Sequence, residues 1–381
     1  MAEIIVPAAP KTVFQALTKS FIQRLWLCDE NKVHPQEGGT YYLRWLNGYY
    51  AVGEFTTLDA PHKIVMTWHG KNEAPSEVVI TLTAVGDETQ VTVDHTWVGW
   101  QAALENLQYT LQTGLDRRFM RRPMLGIFPQ PLTAEIAARL GVPVSKGTHL
   151  QGVLETGGAG QAGLQTDDVI VTLAGQPVHD YPSMAVVLQS YSGGDTVEVE
   201  YYRGAEKYTV PMTLGKRPEP VVAASFAEVI EQGQVVVATL MQELDDLLKG
   251  IPEEVLAQSP EPGQWSANQN LAHLIWAERL YQMGIGQLAM LDEPFDWTDN
   301  HPAHITGIVA TYRTSAALVQ ELHRILLETI EMVRVFPESY VQECKPGFAY
   351  IAQYILNNGE HMREHFQQIR EAVAAVQGVP A

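Results

Sequence analysis

Cysteine is almost absent from this chain. Cys28 and Cys344 are the only two in 381 residues, and nothing about their spacing forms a metal-binding pair. They read as reduced structural thiols, with a disulfide as the other possibility. Long apolar runs are missing too, and none reaches the ~18–20 residues of a membrane-spanning helix. The first residues, MAEIIVPAAPKTVFQAL, lack a basic stretch followed by an apolar one, so no signal peptide is expected. The expected location is therefore the cytoplasm. Positive charge is scarce: 25 Lys+Arg stand against 44 Asp+Glu, a net of −19. A phosphate backbone needs cations to neutralise it, which argues against nucleic acid as a partner. Anionic membrane surfaces are disfavoured for the same reason. No G-x-S-x-G or similar nucleophile turn occurs anywhere.

What is present is a globular composition, 46% hydrophobic and 18% charged. The length implies two or three domains. The acidity is uneven, since residues 218–381 hold 22 Asp+Glu against 8 Lys+Arg. Three stretches differ in character, and they place the domains at 1–122, 123–217 and 218–381.

Residues 1–122 begin with a short strand, Glu3 to Val6, and an amphipathic helix, Pro10 to Ser20, with proline in its first turn where the lost N–H costs nothing. Period-2 alternation then marks strands at Gly39–Trp45, Tyr49–Leu58, Lys63–His69, Glu77–Ala84 and Gln90–Trp97. A long helical pattern, Gly99 to Arg121, closes the segment. Val6-Pro7, Val13-Phe14-Gln15-Ala16-Leu17-Thr18, Gly38-Gly39-Thr40-Tyr41, Gly53-Glu54-Phe55 and Trp97-Val98-Gly99-Trp100 resemble the START-like SRPBCC superfamily, in the branch named for homologues of the activator of the Hsp90 ATPase. The resemblance implies an α+β helix-grip fold around an apolar cavity for a small apolar ligand. Tyr42, Trp45, Tyr50, Phe55, Trp68 and Trp97 either line such a cavity or fill the core.

Residues 123–217 contain a short helix at Ala134–Leu140 and a strand at Thr148–Glu155. The glycine-rich run Gly157–Leu164 follows, then Asp167-Asp168-Val169-Ile170, a helix near Pro182–Ser190, and strands Thr196–Arg203 and Glu206–Leu214. This order resembles a PDZ domain of the bacterial HtrA type, a mainly-β fold. The resemblance implies that the backbone amides of Leu125, Gly126 and Ile127 form a nest for the carboxylate of a protein C-terminus, whose chain adds as a strand. Pro129 departs from that pattern, because it has no N–H to offer the peptide. Peptide capture and a purely structural packing role both stay open.

Residues 218–381 open with a stiff linker, Pro218-Glu219-Pro220, and are otherwise helical in period. Helices are expected at Ser225–Leu248, from the N-cap Ser266 through His273, at His304–Val335 and at Phe348–Val376, with a loop at 292–302. His361 and His365 lie four residues apart and share a helical face. His273 stands alone on an otherwise apolar face. Three neutral imidazoles converging from two helices of a bundle would make a metal site with open positions. An isolated H-x-x-x-H is more often two surface or hydrogen-bonded histidines. His301, His304 and His323 are further candidates, the first two beside a proline-containing loop. Glu278, Tyr354, Asn358, Glu360 and Glu364 are candidates for orienting imidazole N–H groups.

Pro262-Gly263-Gln264-Trp265-Ser266, Asn270-Leu271-Ala272-His273-Leu274 and His361-Met362-Arg363-Glu364-His365 resemble the DinB-like superfamily, the all-α helical fold of bacterial metal-dependent thiol transferases. The resemblance implies His273, His361 and His365 as ligands of one divalent metal, with zinc, nickel or iron all suited to imidazole. Two functions follow as expectations. One is a metal-dependent transferase moving a thiol or another small group. The other is a non-enzymatic ligand-binding or stress-adaptor protein that recruits a partner's C-terminus through the PDZ domain. No catalytic residue and no oligomeric state can be read.

Overall fold

A computed structural model describes residues 1–217, 220, 222–290 and 302–378. His301, the Pro218-Glu219 part of the linker and nearly all of the 292–302 loop lie outside the described residues.

The first domain runs β1 (Ala2–Val6), α1 (Pro10–Thr18), α2 (Ser20–Trp26), β2 (Glu30–Val33), β3 (Thr40–Arg44), β4 (Tyr50–Asp59), β5 (Lys63–Gly70), β6 (Ser76–Val85), β7 (Glu88–Asp94), α3 (Trp100–Thr113) and α4 (Arg117–Arg121). Seven strands form one antiparallel sheet in the order β1-β7-β6-β5-β4-β3-β2. Their alternation places one face in the core. α3 buries Trp100, Leu104, Leu107 and Leu111, a helical stripe, against it. The single helix expected from Gly99 to Arg121 is two. Gly114 adopts φ +80 and ends α3, and Asp116 caps α4 by accepting from Arg118 N and Phe119 N.

The second domain contains β8 (Ile127–Pro131), α5 (Ala134–Leu140), β9 (Thr148–Val153), α6 (Gly158–Gln161), β10 (Val169–Leu173), β11 (Gln176–Pro177), α7 (Tyr181–Leu188), β12 (Thr196–Arg203) and β13 (Glu206–Thr213). Its sheet runs β13-β12-β10-β9-β8, so β8 is an edge strand. Asp168 is fully buried and held by Arg203, with Nε–Oδ1 and Nη2–Oδ2 both at 2.8 Å.

The third domain is built on four long helices, α8 (Phe226–Leu248), α10 (Ala267–Ala289), α12 (Ser315–Arg334) and α14 (Lys345–Gln377). The shorter α9 (Glu253–Ala257), α11 (Pro302–Thr311) and α13 (Tyr340–Glu343) lie between them. Ser266 and Gln269 cap α10 reciprocally. The one helix expected over His304–Val335 is broken at Tyr312–Thr314, where Thr314 turns extended and its hydroxyl accepts from Ala317 N to start α12.

The first and third domains share a core. One cluster joins Trp100, Leu104 and Leu107 of the sheet domain to Phe226, Val333, Phe348 and Ile351 of the bundle. The PDZ domain has its own, and the far end of the bundle a third. Cys28 and Cys344 both lie in the shared cluster and are free. The contact is closest at Gly114, where a Cβ would stand 2.6 Å from Ala349 Cβ and 2.8 Å from the Lys345 carbonyl. Gly114→Val therefore combines a strained left-handed backbone with overpacking, and should lower stability by about 2 kcal/mol or more. Hydrogen exchange should show lost protection in both α3 and the first turns of α14, whereas loss in α3 alone would mean that the domains dock independently of this contact.

Candidate metal centre

α10 and α14 carry the site. Asn270 and His273 are three residues apart on α10, and His361 and His365 are four apart on α14, so each pair shares a helical face. The two faces meet. His273 and His365 are buried, at 2% and 8% exposure, and His361 is partly open. Their ring centroids are 4.4 Å (His273–His365), 4.8 Å (His361–His365) and 5.5 Å (His273–His361) apart.

The arrangement fits a divalent ion. Tetrahedral Zn–N bonds of ~2.1 Å put nitrogens about 3.4 Å apart. His273 Nε2 and His361 Nε2 are 3.5 Å apart, and one ligand atom from each of the three residues lies within 4.8 Å of the others. His365 Nδ1 stands 3.1 Å from Asn270 Oδ1; with the proton on Nδ1, that bond leaves Nε2 as the ligand atom. Trp265 covers the triad from outside, its ring 5.3 Å from His273 and 6.5 Å from His365. Burial pushes His361 below the ordinary imidazole range, partly offset by Glu364. Burial, with the other two imidazoles, pushes His365 down to about 3. Both are therefore neutral at neutral pH, the form that binds metal.

The remaining candidates divide. Glu278 is buried at 3% exposure and accepts from Thr329 Oγ1, Tyr354 OH and, at 3.3 Å, Asn358 Nδ2. This network ties α10 to α12 and α14 beyond the triad. Glu360 and Glu364 are exposed. His304 stacks on Trp276 at 3.7 Å and His323 is exposed on α12, so neither joins the three. Asn270 is the orienting group that the residue pattern did not single out. Its signal was present, as an amide one turn before His273 on the same face.

Neither thiol is built to react. Burial holds Cys28 up at about 12 and raises Cys344, which suppresses the thiolate. In the sheet domain the interior is filled. The space among Leu17, Trp26, Tyr41, Phe55, Met66 and Trp100 is about 10 Å³, below the several hundred of a ligand pocket. Phe55 and Trp68 are core, while Tyr42 and Tyr50 stack on each other at the surface. In the PDZ domain, Gly126 takes φ +75 between Leu125 and Ile127, a turn that aims successive amides together. The Leu125 and Gly126 carbonyls are taken up by Ala159 N and Leu154 N, both at 2.8 Å. Pro129 sits at a bulge in β8, where a missing N–H is tolerated.

Three family descriptions match in order: Activator of Hsp90 ATPase homolog 1-like protein over residues 7–121, PDZ domain over 123–214 and DinB superfamily over 237–369. The chain is thus a multidomain protein of a START-like, a PDZ and a DinB-like helical domain. DinB-like domains are a metal-binding family. Among curated relatives, a probable periplasmic serine endoprotease DegP-like of Bartonella henselae is 28% identical over 109 residues, covering 29% of this chain and 22% of that protein. The periplasmic pH-dependent serine endoprotease DegQ of Escherichia coli is 25% identical over 154 residues, covering 39% and 34%. The chain thus spans only about a fifth of the first of these relatives and about a third of the second. An HSP90 activator from Plasmodium falciparum superposes with a TM-score of 0.25 at 26% identity, covering 29% of this chain and 94% of that one. Among the described residues no helix is long and apolar enough to cross a membrane.

The buried carboxyl gives a pH test. Burial raises the Glu278 pKa above its ordinary value, so the folded state binds this proton more tightly than the unfolded one. Its contribution is complete below the ordinary carboxyl range and is lost as pH rises through the folded value. Glu278→Gln should remove that dependence, so wild type loses stability relative to the variant as pH rises above the ordinary carboxyl range in urea melts. A difference that stays flat or moves the other way would contradict a raised pKa.

Proposed function

We propose that the helical domain holds a divalent metal on His273, His361 and His365 and transfers a small thiol, or another small group, to an electrophile. The reading is carried by one observation: three imidazole donors from two antiparallel helices come within 4.8 Å of one another in a half-buried site. When bound, the ion would lower the pKa of a coordinated thiol and so supply a nucleophile near neutral pH. The chain's own residues do the rest. Asn270 fixes the His365 ring, and Trp265 shields one side of the triad from water. A groove of about 570 Å³ contains both Trp265 and Asn270 in its wall and offers an approach for substrates. Zinc, nickel and iron all suit this donor set.

The test is a screen of low-molecular-weight thiols against an aryl halide electrophile, with metal-loaded wild type beside His361→Ala. The expected result is a metal-dependent rate at least about tenfold above free thiol, equivalent to 1.4 kcal/mol, and absent in the variant. A metal-loaded protein that accelerates no pair contradicts transfer.

A second reading, compatible with the first, assigns the PDZ domain to a protein C-terminus. It is favoured by the open edge of β8 beside the left-handed Gly126. Peptides with a free C-terminus should bind and their amidated forms should not, and Pro129→Ala should tighten binding severalfold by restoring a ladder donor worth about 1 kcal/mol. Equal binding of acid and amide forms contradicts it. The START-like domain, with its filled interior, takes an apolar ligand only by moving core side chains, so we assign it the role of docking the bundle.

A further inference from the structure

We propose that the cleft between the START-like and PDZ domains binds a small molecule with an oxyanion head, carboxylate or phosphate, and a flat apolar body. The cleft encloses about 370 Å³, within the range of small-ligand sites. Arg118, Arg121 and Arg122 line it, with Asp29 as the acidic residue of the wall, and the rings of Trp45 and Tyr191 face it from the two domains.

Charge is what singles this place out. Four arginines fall within residues 117–122 of a chain whose net charge is −19. Arg117 is spent on Glu105 at 3.0 Å. Among the described residues the other three have Asp29 and Asp116 as their ion-pair partners, and guanidinium groups stay charged at any working pH, so a cationic surplus remains. Arg217 adds to it from behind, stacked 4.0 Å over Phe119 of α4.

Two of the three guanidiniums are held rigid, which favours binding over collapse onto a random counter-ion. Arg118 gives Nε to Asp116 Oδ1 at 3.1 Å and Nη2 to Asp116 Oδ2 at 3.0 Å, with a further bond to the Arg24 carbonyl. Its Nη1 is buried 3.9 Å from Asp29 Oδ1, beyond hydrogen-bond reach, and makes no hydrogen bond among the described residues. Arg122 Nη2 donates to Asp29 Oδ1 at 3.2 Å, and Asp29 Oδ2 accepts from Leu46 N at 2.8 Å. Asp116 therefore positions Arg118 and Asp29 positions Arg122, and the two carboxylates leave one of the three guanidinium charges unmatched. Two oxygens of a carboxylate or a phosphate meet the fork geometry of a guanidinium well, and the two aromatic rings supply an apolar wall for the remainder of the ligand. An extended polyanion is not the occupant, since the cleft is bounded on both sides by folded domains.

The experiment is calorimetric titration of the full chain with phenyl phosphate, benzoate and, as the neutral control, phenol. It is repeated in the His361→Ala background, so that an anion resting on a metal at the triad does not count. Binding of phenyl phosphate or benzoate in both backgrounds, with none for phenol, is expected. Which of the two binds more tightly names the head group as phosphoryl or carboxyl. Arg121→Glu, an exposed position that leaves the Asp29 and Asp116 contacts in place, should weaken binding at least about tenfold. Binding that vanishes with His361→Ala, survives Arg121→Glu unchanged, is matched by phenol, or is absent up to about 10 mM would overturn the proposal.

Discussion

The antiparallel register of α10 against α14 is the constraint on which the helical domain depends. Polar ties set it at two levels, Asn270 with His365 and Glu278 with Asn358 and Tyr354, and between them His273 faces His361. Numbers rise on one helix as they fall on the other. A slip of one residue on either helix would turn every one of these side chains about 100° away from its partner. Apolar packing alone tolerates such slips better, because one leucine resembles another. Buried polar groups do not, since each unpaired one costs about 1–3 kcal/mol. The Glu278 network thus serves the triad by fixing where α14 stands.

The lower half of α14 has a second anchor. Phe348 and Ile351 pack into the same core as Trp100 and Leu107 of the START-like domain, and Gly114 allows α3 to approach the α14 backbone. The helix that supplies two imidazoles at one end is therefore gripped by another domain at the other. This gives the START-like domain a structural task that its filled interior supports. The PDZ domain, with a separate core, is joined at the cleft of arginines, where a ligand would bridge it to its neighbour.

Much of this was legible in the residues. Period-2 alternation located most strands of the first sheet to within a residue or two, because one buried face imposes that pattern. Ser266 marked the start of α10 because an N-cap is a local device. The i, i+4 spacing of His361 and His365 fixed their common face. What the sequence hid depends on tertiary contact. The breaks at Gly114 and Thr314 interrupt otherwise continuous helical patterns, and α2 follows α1 with no glycine or proline between. Strand β2, Glu30–Val33, is polar and takes its form from pairing with β3. The role of Asn270 depends on which residue of α14 lies opposite, and spacing along one helix cannot supply that. The shared core was invisible for the same reason, since apolar faces do not announce their partners.

Elemental analysis of purified full-length protein, wild type beside His361→Ala, tests the central claim most directly, because it asks whether three imidazoles hold an ion without assuming any substrate. The account predicts close to one equivalent of divalent metal in the wild type and a large loss in a variant that remains folded. Metal-free wild type that also fails to take up zinc, nickel or iron on dialysis would contradict it, as would equal metal content in the two proteins.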